Sequence, residues 1–154
     1  MNLLEQFILQ HVQLTQLKAK LLRPGQSSGN NEAKVELQLK PRMMKTDSGD
    51  KLPAYQVSAV LSCKSGKVEE SSPQFEVRAG IEAVYQQFDG EAMDVAEFSA
   101  NHASLTRQLY PLLAQELRML LMRMGLEQVR LPFDLATRVE AREGEPVKVS
   151  GAVH

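Results

Sequence analysis

The chain has 154 residues, 43% hydrophobic and 24% charged, which suits one soluble folded domain able to bury roughly 70% of its unfolded surface. With a net charge of −1 nothing demands a nucleic acid or an anionic membrane as partner, and no Lys/Arg run with interleaved aromatics appears. The lone cysteine, Cys63, excludes an internal disulfide and a thiolate metal site, and reads as an inert small hydrophobe on a strand.

Aromatic residues make up only 5% with no Trp, so Leu, Val and Met are expected to fill the core. The opening "MNLLEQFILQHVQL" lacks a basic n-region, a continuous apolar h-region and a small-residue cleavage site. No apolar run reaches membrane-spanning length, and the expected location is the cytoplasm.

From Phe7 to Leu22 the pattern is mixed: Phe7 and Leu9 share one parity, Val12 and Leu14 the other. A strand with a bulge near His11 explains the switch, and a short helix is the alternative. "RPGQSSGNN" is a loop of Pro, Gly, Ser and Asn. In "AKVELQLK", Ala33, Val35, Leu37 and Leu39 alternate with polar residues, a period of two that predicts a strand with one buried face. "PRMMKTDSGDKLP" reads as a long connection.

Tyr55, Val57, Ala59, Leu61 and Cys63 mark the next strand, and the Ser-Gly of "CKSGKV" signals a hairpin. Phe75, Val77 and Ala79 mark another, with Pro73 at an edge or break. Four antiparallel strands with one apolar face need a cover. Helix-start signals lie between Asp89 and Ser104, with Ser104 the expected N-cap. Pro111 predicts a short helix or irregular segment before Tyr110 and a straight main helix from Pro111 to Gly125, the C-cap residue. "LEQVRLPFDL" is extended and apolar, and residues 136–154 form an aperiodic, flexible tail. The fold class is therefore α+β: a four-stranded antiparallel sheet and a long C-terminal amphipathic helix, in one domain over residues 1–135.

That helix is unusually oily. At about 100° per residue, Leu109, Leu113, Leu117, Leu120 and Met124 cluster on one side, and Leu112, Met119 and Leu121 widen the stripe to roughly 200°. A stripe so wide has two burials to satisfy: its own sheet, and either another chain, a client or flanking segments of the same chain. Glu116 and Arg123 intrude on it seven residues apart, too far to pair within one helix. Two antiparallel copies about a two-fold axis near Met119–Leu120 would let Glu116 of each meet Arg123 of the other, with Leu112 at the flank. The bland alternative is two solvated charges.

No phosphate-cradling loop, HExxH or Cys/His cluster is present, and His11, His102 and His154 are scattered. His102 reads as a surface or capping residue. Nothing nominates a catalytic, metal or cofactor site, so the expectation is a protein that is not an enzyme.

The order of these strings resembles the SecB-type preprotein-export chaperones from about Phe7 to Leu135. "FILQHVQLTQL", "AKVELQL", "AYQVSAVLSC" and "FEVRAGI" are similar to the family's four strands in turn. "LYPLLAQELRMLLMRMG" is similar to its long helix, down to the aromatic-Pro pair Tyr110-Pro111, and "RLPFDL" to the apolar segment that follows. The resemblance implies a tetramer built as a dimer of dimers with the long helices at the contact. It also implies ATP-independent capture of unfolded or precursor polypeptides in apolar grooves, and delivery to the translocase motor SecA. The candidate client surface is Met122, Leu126, Val129, Leu131 and Phe133, with Phe75 and Val77 if the strand edge is open.

Departures from the family pattern bear on the motor contact, which in SecB chaperones uses an acidic sheet surface. Glu76 is retained there, while Gln16 and Gln74 stand where an acid and an apolar residue are expected. A Gly-Gly pair is reduced to Gly80, and the second C-terminal helix is weak. The competing expectation is a protein-interaction or scaffold module of the same fold with one dedicated partner, not coupled to the export motor.

Overall fold

Alternation decides the sheet. The computed structural model describes residues 2–23, 33–44, 52–65, 74–126, 129–132, 139–140 and 147–153. In it Ala33–Met43 forms β2, Ala54–Ser65 forms β3 and Gln74–Gln87 forms β4. The alternating residues marked in β2 and β3, and Phe75, Val77 and Ala79 in β4, are all buried.

The first strand, β1, runs over 17 residues, Phe7–Arg23, and pairs antiparallel with β4. Its register shifts between Leu9 and His11, between Leu14 and Gln16, and between Leu21 and Arg23. Each shift leaves one residue unpaired and turns the pleat over. Leu9, then Val12 and Leu14, then Leu17, Ala19 and Leu21 thereby return to one face, opposite the buried residues of β4. The bulge near His11 is as the parity switch predicts, and the helical alternative is excluded.

The strand order is β1-β4-β3-β2, with two further strands beyond β2. Val139–Glu140 (β5) and Val147–Val153 (β6) come from the tail, and β6 pairs antiparallel with β2 from Ala33 to Leu39. The expectation of a flexible segment over 136–154 is corrected to that extent. Val147 and Val149 alternate with Lys148 and Ser150, and the free edge of β2 supplies the missing ladder. The start of "PRMM" is likewise strand: Pro41, Arg42 and Met43 lie opposite Val57, Gln56 and Tyr55. Pro41 is tolerated because β6 has already ended at Leu39. The Ser-Gly turn and Pro73 lie outside the described residues.

Helix α1, Val95–Ala100, is capped by Asp94, whose carboxylate accepts from the Glu97 N–H at 2.8 Å. It drives Phe98 into a cluster of aromatic rings, stacked on Tyr55 at 4.2 Å and edge-on to Phe7 at 5.1 Å and Tyr85 at 6.0 Å. Low aromatic content is thus concentrated at one end of the sheet. Methionine, by contrast, fills little of the core: Met93 is buried, while Met43, Met119 and Met122 are exposed.

Helix α2 is one element, His102–Arg123, with Pro111 inside it. The expected break near Tyr110 does not occur. Leu105, Leu109, Tyr110 and Leu113 are buried on both sides of the proline. At about 1.5–3 kcal/mol per fully buried side chain, they outweigh a helix-proline cost of about 3 kcal/mol. Ser104 is inside the helix rather than capping it; its hydroxyl accepts from the Leu3 N–H at 3.4 Å. Asn101 stands at the N-cap without a side-chain capping bond; its side-chain amide instead donates to the Glu97 carbonyl at 2.9 Å. His102 is the first helical residue, half-buried, and its Nδ1 has no hydrogen-bond partner.

Candidate functional site

The C-terminus of α2 builds a pocket. Gly125 adopts φ +73°, the left-handed conformation that ends helices without a Cβ penalty. Its N–H donates to the Met122 carbonyl at 3.1 Å, and the Leu126 N–H donates to the Leu121 carbonyl at 2.9 Å. This paired cap turns the chain back and lays Leu126 beside Leu121. The Val129 N–H then donates to the Leu126 carbonyl at 3.1 Å, and the Tyr110 hydroxyl donates to the Pro132 carbonyl, tying the returning segment to the middle of the helix.

The result is a concavity of 520 Å³ lined by Leu121, Met122, Leu126, Val129 and Leu131, with Arg118 and Arg130 beside them. Four of the five residues first proposed for client binding, Met122, Leu126, Val129 and Leu131, meet here. Leu126, Val129 and Leu131 are themselves mostly buried and act as walls, whereas Met122 is 59% exposed at the mouth. Phe133 lies outside the described residues. Arg118 and Arg130 escaped sequence reasoning because the turn at Gly125 is what brings Arg130 back beside Arg118.

Phe75 and Val77 are removed from the site. They were included on condition of an open edge, but β4 is paired on both sides, with β1 and with β3, and both residues belong to the core. β1 is an edge strand. Helix α2 crosses β3 and β4 and leaves β1 beyond Leu9 uncovered. Val12, Leu14, Leu17 and Leu21 therefore remain between 38% and 47% exposed on the helix side of the sheet. A long, apolar edge with free backbone groups is a template for pairing with another chain. Sequence reading missed this surface, although the parity switches that create it were visible.

On α2 itself, buried residues occupy an arc of about 180° at 100° per residue, from Leu105 to Ala114. Leu112 and Met119 stand outside it, 41% and 43% exposed, and Glu116 and Arg123 lie at its Leu105 edge beside them. Leu120 falls within the buried arc; it is half-buried and packs against the chain's own core. Glu76 is half-buried on the opposite face of the sheet, 3.8 Å from the Lys18 ammonium.

The buried polar groups offer no nucleophile. Burial pushes the Cys63 thiol up to about 12, so it stays protonated. Burial, with lesser contributions from Asp94 and Glu97, does the same to the Tyr55 hydroxyl, which donates to the Met93 carbonyl. Among the described residues, no group of three His, Cys, Asp or Glu could hold a metal ion, and no helix is long and apolar enough to cross a membrane.

No protein-family model matches the chain, and no curated protein does. Among solved structures it is similar to the Rv1957 SecB-like chaperone of Mycobacterium tuberculosis, solved in complex with a ChAD peptide from the HigA1 antitoxin. The TM-score is 0.63 at 16% sequence identity, over 85% of this chain and 93% of that one. The likeness establishes a SecB-like fold.

Proposed function

We propose that this protein is an ATP-independent chaperone that holds unfolded or non-native polypeptide. One observation carries the proposal: an apolar pocket, walled by Leu121, Leu126, Val129 and Leu131, opens beside an exposed methionine at the end of α2. A polarizable, rotameric side chain such as Met122 suits clients of varied shape. Arg118 and Arg130 add donors for carbonyl or carboxylate groups of the captured chain.

The apolar face of β1 and the ridge Leu112–Met119 are a second matter. They fit burial between copies, in a dimer or tetramer in which Glu116 of one helix meets Arg123 of another. Each apolar side chain left bare in a monomer forgoes stabilisation of about 1.5–3 kcal/mol on full burial.

Two versions of the role differ in partner. In the export version, a cytoplasmic holdase passes precursors to SecA through Glu76. In the other, the fold serves a dedicated partner. The second is favoured by the occupation of Glu76 by Lys18, and by the neighbour, whose bound peptide comes from an antitoxin.

The test is suppression of aggregation of a chemically denatured client diluted into buffer, followed by light scattering with and without ATP. Suppression at equimolar protein, unchanged by ATP, is expected. Aggregation undiminished at tenfold excess overturns the proposal. A pull-down yielding one folded protein rather than many unfolded ones identifies the dedicated-partner version.

A further inference from the structure

We infer that the solvent face of the sheet, at the end where β1 and β3 finish and β2 and β4 begin, binds an acidic segment of a partner polypeptide. The strand register places Lys20, Glu76, Lys64 and Lys34 in one row across four strands. Lys18, Arg78, Ser62 and Glu36 form the next row. The residues between these rows are the buried ones of β2, β3 and β4, so both rows face water. Among the described residues, five cations and two carboxylates thus share one corner of a chain whose net charge is −1.

The arrangement costs stability. Lys18 lies directly opposite Arg78, and Lys34 directly opposite Lys64. Like charges in that relation repel. The two carboxylates relieve it only in part: Glu76 offsets Lys18, and Glu36 is engaged by Gln38. Glu76 faces Lys18 at 3.8 Å, the one ion pair among the described residues, and Glu36 accepts from Gln38 Nε2 at 2.8 Å. The Arg78 Nε is buried and has no hydrogen-bond partner.

Spacing selects the occupant. Lys18 and Lys20 are one pleat repeat apart, about 7 Å, which matches alternate side chains of an extended peptide. An acidic peptide lying along β1 would meet Lys18 and Lys20 with alternate side chains, and Lys64 and Lys34, neighbours across the β3–β2 pair in the row of Lys20, would take further carboxylates. A nucleic acid fits less well, because the rows contain no aromatic side chain for base stacking. The surface lies on the reverse of the sheet from α2 and its pocket, so it stands or falls independently of polypeptide holding.

The experiment uses the full chain and a fluorescent Glu-Ser repeat peptide, with Gln-Ser and Lys-Ser repeats and a single-stranded oligonucleotide as competitors, read by anisotropy. Binding of the Glu-Ser peptide alone is expected, weakening about tenfold as salt rises through the range where the screening length falls from about 10 Å to 3 Å. The double variant Lys64→Gln, Arg78→Gln should weaken it about five- to tenfold while Tm holds or rises and client holding is unchanged, because removing repelling cations does not harm the fold. Equal binding of the Gln-Ser peptide, tighter binding of the oligonucleotide, no binding of the Glu-Ser peptide, or undiminished binding by the double variant overturns the inference.

Discussion

Leu126 is held against Leu121 by its own backbone: the Leu126 N–H reaches the Leu121 carbonyl at 2.9 Å, and both side chains line the pocket at the end of α2. The contact exists because Gly125 between them turns the chain at φ +73°. Nothing lies within 4 Å of where a Cβ at Gly125 would sit, so only backbone conformation resists a side chain there. Gly125→Ala should therefore cost about 1–2 kcal/mol, read by urea unfolding. It should also weaken client holding more than an equally destabilising substitution remote from the pocket.

Assembly through α2 makes a charge-specific prediction. Glu116→Arg alone should lower the mass measured by light scattering, by placing like charges at the two-fold contact, and the further change Arg123→Glu should restore it. Unchanged mass in both variants removes Glu116 and Arg123 from any interface.

Alkaline stability should fall from about pH 10. The Tyr55 hydroxyl ionises near 10.0 in the unfolded chain and is pushed up to about 12 in the fold, chiefly by burial. Between those values the folded state binds the extra proton, so raising pH favours unfolding. The Tyr55 contribution is complete below the unfolded value and is lost as pH rises through the folded one. Tyr55→Phe should flatten the decline in urea midpoint over that window, after allowance for the lost bond to Met93.

Cys63 should be silent to thiol reagents in the folded protein. It is fully buried on β3, and its thiol ionises near 12 rather than 9.0. Labelling with a chromogenic disulfide at pH 8 should proceed only at the rate of opening, and rapidly in urea. Prompt stoichiometric labelling in buffer contradicts the burial of β3.

The legible parts of this fold were those written as strict alternation. Ala33 to Leu39 and Tyr55 to Cys63 each carry one buried face, and the sequence shows it residue by residue. The long helix was legible as a wide stripe, but its start was misplaced at Pro111 because a local cost was weighed without the tertiary burial of Leu105 and Leu109. The tail strand β6 escaped because its ladder comes from β2, a partner more than a hundred residues away. Met122, Leu126, Val129 and Leu131 could be named from apolarity after the helix; their convergence on one concavity could not, since it depends on the cap at Gly125 and the bond from Tyr110 to Pro132. Phe75 was misassigned because neighbouring strands, rather than β4 itself, determine which edge is open.

The most direct measurement is anisotropy of a labelled, permanently unfolded polypeptide titrated with this protein in the absence of nucleotide, beside the variant Met122→Lys. Met122 is 59% exposed, so the substitution should change stability by no more than about 0.5 kcal/mol. The account predicts saturable binding by the unmodified chain and at least tenfold weaker binding by the variant. No binding by the unmodified chain, or equal binding by the two, contradicts it.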